Sequence, residues 1–429
     1  MSLSVWILSI LGFLVALAVI FLVFTLYLGG AFRRHIVYRL KQTPKLSEPR
    51  FPQVVTSLSD SLTTSGHLTG FWVEANEIFA ARLDAIRQAR HFIHFETFFM
   101  TSGKRADDFA GALIQKAQAG VKVLFIADHY GAHGFPVSYW RRLQRAGVEV
   151  RFFHPFTWRS PLDYLERTHR KLLLIDGEQA LIGGAGISDH WDGRKSVGET
   201  APWLDFEIGL RGPIVSVLEG TFMQHWTYVG GIADVGDRII QAAKPEASSI
   251  YVIPGDPSYR DSSVTALFHI SFQAAQERIW LTSPYLLPNE GLQKDLIDAR
   301  QRGVDVRILT MGHYNDKSYV YYASRERYRP LLEAGIQLYE YQPSMLHAKL
   351  MVVDGTWLSL GSANLDPRSL FRNDELNLSM RDADLSHRLE TFFLRALEAS
   401  RLITIPQWER RPYWQRLIGR TCLVFQRQL

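Results

Sequence analysis

The sequence predicts an α/β protein made of two halves related by a pseudo-twofold axis and preceded by one N-terminal transmembrane helix. Three observations lead to this fold class: a long apolar segment at the N-terminus, an order of strands and helices that occurs twice in the remainder, and a short His-x-Lys-x4-Asp motif present once in each repeat. Strands that alternate with helices are typical of α/β folds with an extended sheet. The net charge of +5 favours an anionic partner.

The apolar segment, residues 3–28, contains no charged side chain and exceeds the roughly 20 residues that cross a bilayer as a helix. A cleaved signal peptide would need a basic N-terminal region and an apolar core of about 7–15 residues, and the segment has neither. We therefore expect a retained, single-pass anchor in the cell membrane. The basic residues that follow it are Arg33, Arg34, Arg39, Lys41 and Lys45. The positive-inside rule then predicts that the rest of the chain is cytoplasmic.

Beyond a polar stretch with several prolines, the chain repeats itself. The segment that starts at Gln118 matches the one at Gln301, and the segment at Ala146 matches the one at Ala334. The predicted organisation is a transmembrane helix (3–28), a juxtamembrane linker (29–65), a first half (66–235), a second half (236–400) and a basic, aromatic C-terminal tail (401–429).

Each half begins with a short apolar strand, at 91–99 and 279–283, followed by a helical pattern at 107–119 and 291–302. The first half approaches its motif through a longer segment than the second. This insert, residues 156–167, is predicted to be a loop near the site and a candidate for substrate contact.

The repeated motif consists of a histidine, a lysine and an aspartate at fixed spacing. Its two copies are His169, Lys171 and Asp176, and His347, Lys349 and Asp354. Residues two apart on an extended strand share a face, so each histidine projects together with its lysine. The residues after each lysine are apolar, as in a buried strand, and each aspartate precedes a glycine where a turn is natural.

These residue types indicate phosphoryl chemistry, and the six motif residues, the two aspartates included, are the predicted catalytic residues. One histidine can attack phosphorus and carry the phosphoryl group, and the second can protonate the leaving alkoxide. The two lysines supply fixed positive charge to the phosphate oxygens, so the arrangement requires no metal. No nucleotide-binding glycine pattern occurs in the sequence, and Cys422 is the single cysteine, so we expect neither a cofactor nor a multi-cysteine zinc site.

The two motifs resemble those of the phospholipase D superfamily, and the stretch 347–377 is similar to the cardiolipin synthases within it. The resemblance spans about residues 70–400 and implies two phospholipase D-like α/β/α sandwich halves. In that family one motif histidine becomes phosphatidylated and the other acts as acid and base. The analogy makes His169 the nucleophile and His347 the general acid/base, although the near symmetry leaves the reverse assignment open.

Aligning the halves supplies further candidates. Asp205 and Glu375 occupy matching contexts, and we expect each carboxylate to orient one of the two histidines. Asn364 can donate to a phosphate oxygen, whereas Gly186 stands at the corresponding place in the first half, where the family usually has Asn. The remaining candidates for substrate binding or orientation are Ser362, Gly184 and Glu96.

The resemblance and the anchor together predict a membrane-bound phosphatidyltransferase that makes cardiolipin from two phosphatidylglycerol molecules. Anionic phospholipids are the expected substrates, and no nucleic acid is expected. The alternatives are a phospholipase D that uses water as acceptor, a nuclease with the same fold and a non-enzymatic lipid-binding scaffold. Residues 408–429 interleave arginines with aromatic and aliphatic residues. They are predicted to lie at an anionic lipid interface or to pack on the domain as a terminal helix.

Overall fold

The computed structural model describes residues 3–28, 36, 38–233, 235–236, 239–240, 249–258 and 262–426. Helix α1 (Leu3–Leu28) is the predicted N-terminal helix. It is long and apolar enough to cross a membrane, and its apolar window is not buried against the protein. Arg33 and Arg34, on which the predicted orientation partly depends, lie outside the described residues, as does Arg427 of the tail.

The first half alternates strands and helices. Its elements, with the short segments that precede it, are α2 (Phe51–Leu58), β1 (Leu62–Thr64), β2 (His67–Val73), α3 (Glu74–Gln88), β3 (Phe92–Thr97), α4 (Lys104–Gln118), β4 (Lys122–Asp128), α5 (Val137–Arg145), β5 (Val148–Phe153), β6 (Arg167–Thr168), β7 (Leu172–Ile175), β8 (Gln179–Gly183), β9 (Phe206–Arg211) and α6 (Ile214–Tyr228). Short 3-10 helices lie at Asp163–Leu165, Asp189–Asp192 and Lys195–Val197.

The second half repeats this order and continues into the tail. Its elements are β10 (Ile250–Gly255), α7 (Ser263–Ala274), β11 (Arg278–Thr282), α8 (Glu290–Gln301), β12 (Asp305–Thr310), α9 (Ser318–Glu326), α10 (Tyr328–Glu333), β13 (Gln337–Tyr341), β14 (Leu350–Val353), β15 (Trp357–Gly361), α11 (Pro367–Phe371), β16 (Asn373–Arg381), α12 (Ala383–Glu398), β17 (Ser400–Leu402), α13 (Ile405–Glu409) and α14 (Tyr413–Val424).

The strands of the described residues form two sheets with the same internal order. The first runs β2-β9-β8-β7-β3-β4-β5, and the second contains β10-β16-β15-β14-β11-β12-β13, extended by β1 at one end and β17 at the other. In both sheets the strand after the lysine pairs antiparallel with the apolar strand predicted to begin its half: β7 pairs with β3, and β14 pairs with β11. Strands β2 and β10 precede these predicted strands. The two predicted α/β halves are therefore present.

Helices cover the outer face of each sheet, and the inner faces share one core. Buried side chains of α3, α4 and α5 pack on the first sheet, and those of α7 and α8 pack on the second. Residues of both sheets meet residues of α6 and α12 in a third cluster, where Ile208 and Leu358 are fully buried. This shared core holds the two halves together and fixes one histidine motif relative to the other.

The predicted linker 29–65 needs a correction at its C-terminal end. Helix α2 buries Phe51 and Val55 in the core of the second half, and β1 pairs antiparallel with β10. Pro52 lies in the first turn of α2, where a proline costs no helical hydrogen bond. The prolines that suggested an irregular linker therefore mark the beginning of a helix.

Candidate active site

The two motif histidines lie where the halves cross each other. Strand β6, just before His169, pairs in parallel with the start of β16, and the amide of His169 donates to the carbonyl of Asp374 at 2.8 Å. The second motif makes the equivalent contact with the first half: the amide of His347 donates to the carbonyl of Leu204 at 2.8 Å. Each histidine backbone is thus held by the opposite half, which brings both motifs into one site.

Carboxylates orient both imidazoles across the same interface. Nδ1 of His169 lies 3.0 Å from a carboxylate oxygen of Glu375, and Nδ1 of His347 lies 2.9 Å from Asp205. All four side chains are buried. A neutral imidazole that donates from Nδ1 keeps the lone pair of Nε2 for chemistry. The sequence predicted the two carboxylates, and the structure adds that each serves the histidine of the other half.

The pKa values of this cluster show how strongly its positive groups interact. Burial and the charges of Lys171 and Lys349 lower the pKa of His169 well below its usual value. Burial and Lys349 lower the pKa of His347 to about 4, and burial lowers that of Lys349 to about 8. The pKa of Lys171 falls for the same reasons, burial first and Lys349 second. A bound anion would relieve this repulsion, so the site favours a phosphate group.

The two orienting carboxylates differ in their surroundings. Burial raises the pKa of Glu375 to about 6, and this carboxylate accepts the hydroxyl proton of Ser362. Burial alone would also raise the pKa of Asp205, but its hydrogen bond and charge interaction with His347 outweigh burial and lower the pKa. The indole of Trp191 donates to the same Asp205 oxygen at 3.1 Å.

The small-residue turns after the two motifs explain the missing asparagine. A Cβ on Gly184 would lie 2.4 Å from a carboxylate oxygen of Asp205, so that carboxylate fills the space of a side chain. A Cβ on Gly186 would lie 2.2 Å from the carbonyl oxygen of Phe99. In the second half Asn364 is buried, and its Oδ1 has no hydrogen-bond partner within the described part of the chain. The Asn364 side chain is therefore not fully paired within the described residues, and the first half has no room for a counterpart.

The structure places Asp176 and Asp354, which were predicted to be catalytic, in turns away from the two histidines. Both have a positive φ, 55° and 51°, in the turn at the far end of the strand that follows the lysine. The carboxylate of Asp176 accepts the amides of residues 90–92, and that of Asp354 accepts the amides of residues 276–278. The strand between lysine and aspartate holds the two at opposite ends. These aspartates fix the entry into strands β3 and β11.

Glu96, a candidate for substrate binding or orientation, lies behind the site. Its carboxylate lies behind the His169 backbone, where it accepts from the Thr168 hydroxyl and faces Nδ1 of His225 at 2.7 Å. The other nitrogen of His225 lies 3.1 Å from Asp374, whose carbonyl receives the His169 amide. Burial and Arg170 oppose a positive charge on His225, but the two carboxylates outweigh them and raise its pKa. Glu96 is therefore connected to the His169 backbone through Thr168 on one path, and through His225 and Asp374 on the other.

A second group near His169 also escaped sequence reasoning. Lys317 lies over the ring of Tyr285 at 5.0 Å, and its charge contributes to the lowered pKa of His169. The Tyr285 hydroxyl donates to Asp316 at 2.7 Å. The dipeptide Asn315-Asp316 directly precedes Lys317, but no spacing rule connects it with the distant histidine motif. Only the folded chain brings Lys317 to the site.

A buried pair of crosswise-oriented histidines with two lysines, on pseudo-twofold α/β halves, defines the chain as an enzyme of the phospholipase D superfamily. A family model described as cardiolipin synthase, PLD-like domain, matches residues 83–191 and 270–397. The chain belongs to this family.

Similar proteins agree with that assignment. The chain is 34% identical over 350 residues to cardiolipin synthase 2 of Bacillus anthracis, and the aligned region covers 81% of this chain and 68% of that protein. It is 30% identical over 388 residues to the cardiolipin synthase of Geobacillus thermodenitrificans, covering 90% and 73% of the two chains. The crystal structure of phosphatidylserine synthase from Haemophilus influenzae Rd KW20 has a TM-score of 0.67 at 13% identity and covers 88% of this chain and 99% of that chain. This last likeness concerns the fold alone.

Proposed function

We propose that this protein is a membrane-bound phosphatidyltransferase that converts two phosphatidylglycerol molecules into cardiolipin and glycerol. The observation that carries the proposal is the crosswise pairing of His169 with Glu375 and of His347 with Asp205, with both motif lysines buried beside them. The relatives named cardiolipin synthase support the choice of substrate.

In the first step Nε2 of His169 attacks the phosphorus of phosphatidylglycerol. The bond from phosphorus to the headgroup glycerol oxygen breaks, and His347 gives that oxygen its proton. Lys171 and Lys349 stabilise the charge on the phosphate oxygens. Because the pKa of His347 is about 4 before an anion binds, the phosphodiester charge must raise it for the proton to be present.

In the second step the headgroup hydroxyl of another phosphatidylglycerol approaches the phosphatidyl-His169 adduct. His347 removes the hydroxyl proton, the oxygen attacks phosphorus and the bond to Nε2 breaks. Cardiolipin leaves and both imidazoles return to their starting state. Glu375 stabilises the positive charge that His169 carries as an adduct, and Asp205 does the same for His347 when it holds the proton. Water in place of the alcohol would yield phosphatidic acid.

The location of the protein is part of the same proposal. Helix α1 is the single-pass anchor, and Arg39, Lys41 and Lys45 follow it on the cytoplasmic side. This orientation keeps the active site at the inner surface of the cell membrane. Protease added outside intact spheroplasts should leave the catalytic halves whole, and digestion of those halves would contradict the orientation.

The test of the reaction is lipid analysis after expression in a cardiolipin-deficient bacterial host. Cardiolipin should appear with the wild-type chain and with His387→Ala, an exposed histidine on α12. It should be absent with His169→Ala or His347→Ala. Phosphatidic acid without cardiolipin would make the protein a hydrolase, and an unchanged lipid profile would contradict both activities.

A further inference from the structure

Helix α14 has an apolar face that points away from the protein. Its inner side packs against α9, where a Cβ on Gly419 would lie 2.5 Å from the carbonyl oxygen of Tyr322. A buried ion pair of 2.8 Å between Arg411 and Glu326 fixes the start of the same contact. The exposed large side chains of the helix are Tyr413, Trp414, Leu417, Ile418, Val424 and Phe425. Among them Trp414 stands at the edge of the contact, since its ring also packs edge-on against Tyr322 at 5.5 Å. The terminal-helix alternative is therefore correct for one face only.

The loop that precedes His169 is exposed and apolar in the same way. Trp158 is 86% exposed, and its ring packs edge-on against Phe156, which in turn contacts Tyr164. This loop is part of the insert between β5 and β6. It ends at Arg167, whose guanidinium lies over the Tyr164 ring at 4.5 Å. The loop therefore borders the approach to His169.

The loop and α14 adjoin the same core cluster. Tyr164 contacts Tyr130, and Ala132 and Phe135, which follow Tyr130, share a buried cluster with side chains of α9. Cys422 and Leu423 of α14 pack against that cluster. We call the exposed apolar side chains on both flanks the rim surface: Phe156, Trp158, Tyr413, Trp414, Leu417, Ile418, Val424 and Phe425.

Positive charges predominate around α14. The helix contains Arg416 and Arg420 and no acidic residue, and Arg410 lies just before it, next to Glu409. Arg420 lies 3.5 Å from Glu326 of α9 but stays 68% exposed. The loop adds Arg159 beside Trp158, together with Asp163 and Glu166. Exposed aromatic and aliphatic side chains interleaved with arginine suit the headgroup boundary of an anionic bilayer. Apolar patches of this kind on a soluble surface mark an interaction site. At 12 residues α14 spans about 18 Å, too short to cross the hydrocarbon.

We propose that the rim surface docks on an anionic phospholipid bilayer, with α14 lying in the plane of the interface. Docking brings the approach to His169 to the headgroup layer, so that a phospholipid reaches the site without leaving the bilayer. The choice of lipid as the occupant rests on the proposed function. The contact itself is separate from the α1 anchor, since it involves the opposite end of the chain.

The test uses the full chain in vesicles and an environment-sensitive fluorophore on single cysteines. Cys422→Ser removes the native cysteine, and Leu417→Cys places the label on the rim surface. Leu394→Cys is the matched control, because Leu394 is an exposed leucine on α12 outside the rim surface. In phosphatidylglycerol vesicles the label at position 417 should be quenched by doxyl lipids and protected from iodide, and the label at 394 should not. The 417 label should insert less in phosphatidylcholine vesicles.

Two further measurements decide what covers the rim surface. Arg410→Gln with Arg420→Gln should raise the phosphatidylglycerol content needed for half-maximal insertion, since each arginine changes partitioning about fivefold. Equal iodide access at positions 417 and 394 would overturn the proposal. Protection that disappears when the protein is diluted in lipid would also overturn it, because a second copy of the chain would then be the occupant. His347→Ala should insert normally, so loss of activity and loss of docking are distinguishable.

Discussion

Behind His169 lies a network of charged side chains, whereas behind His347 lie aliphatic ones. The backbones are equivalent, since each histidine amide donates to a carbonyl of the other half at 2.8 Å. Behind His169, Glu96 and His225 of the first half connect through hydrogen bonds with Asp374 of the second half. Behind His347, Leu204 of the first half and Leu346 of the second half form the matching bridge, and both are buried.

The strand pairing in the two sheets identifies which residues of the two halves correspond. Glu96 pairs with Leu172 on the strand after the first lysine, and Thr282 pairs with Leu350 on the strand after the second. Thr282 therefore occupies the place of Glu96, and its hydroxyl bonds to backbone alone: it donates to the carbonyl of Ala348 and accepts from the amide of Leu350, each at 3.0 Å. Arg170, which holds the carbonyl of Glu375, corresponds to an alanine, Ala348.

In the proposed mechanism this difference divides the work between the two histidines. Buried charged residues of both halves lie behind His169, and the first half has glycines at positions 184 and 186, where no side chain fits. Apolar side chains lie behind His347, and the second half presents Ser362 and Asn364 in the matching turn. A covalent adduct makes its histidine positive for a whole reaction step. Because Glu375 contacts His169 and two further carboxylates lie behind it, we propose His169 as the nucleophile.

The largest expected effect comes from the orienting carboxylates. Glu375→Gln and Asp205→Asn keep the shape of each side chain, and each should reduce kcat about 10²–10⁴-fold. A phosphatidyl substrate with a nitrophenol leaving group distinguishes the roles of the two carboxylates. Nitrophenolate leaves without a proton, so its release needs the nucleophile but not the general acid. With this substrate, Asp205→Asn should still release nitrophenol in a burst and Glu375→Gln should not. Equal bursts from the two variants would break the comparison.

The ionic network should dominate stability in the first half. His225→Gln leaves two buried carboxylates without their shared cation and should lower the free energy of unfolding by about 3–5 kcal/mol. The raised pKa of His225 determines how this stabilisation depends on pH. Its contribution is fully present below the unfolded pKa of about 6.5 and is lost as the pH rises through the folded value. Thermal unfolding in detergent as a function of pH measures this, and a pH-independent deficit would contradict a charged His225.

The asymmetry of the turns predicts unequal responses to exchange. Asn364→Gly removes a side-chain amide from the second half and should reduce kcat about 10²–10³-fold. Gly186→Asn should not add a donor, since its Cβ would meet the Phe99 carbonyl at 2.2 Å. Activity and thermal stability of both variants, measured in parallel, check this. A Gly186→Asn variant that is stable and faster than wild type would show that the first-half turn is open.

The smallest effect is on the pH profile of kcat/KM. Protonation of Glu375, with a pKa of about 6, removes the acceptor for His169 and should reduce the rate about tenfold per pH unit below that value. Deprotonation of Lys349, with a pKa of about 8, should do the same above it. Lys349→Arg should flatten the alkaline limb while lowering the maximum, because arginine stays charged. If the rate of this variant still falls at alkaline pH, a group other than Lys349 causes the fall.

Much of this arrangement was predictable from the sequence because it depends on local patterns that occur twice. The alternation of strands and helices, the shared face of histidine and lysine, and the paired carboxylates all follow from short periodicities. The crosswise pairing does not, since it depends on how the inner faces of the two sheets pack. The motif groups Asp176 with His169 and Lys171, but strand β7 separates that aspartate from the other two residues, and the spacing alone does not show the separation. His225 lies in a helix and Lys317 just before one, and neither residue is part of the repeated motif.

The identity of the phosphatidylated residue tests the central claim most directly. The full chain in phosphatidylglycerol vesicles would be quenched during turnover, digested and mapped by mass spectrometry under conditions that preserve phosphohistidine. We predict a phosphatidyl group on the peptide that contains His169, and none on the same peptide of His169→Asn. A phosphatidyl group on the His347 peptide would reverse the roles of the two halves and contradict the account.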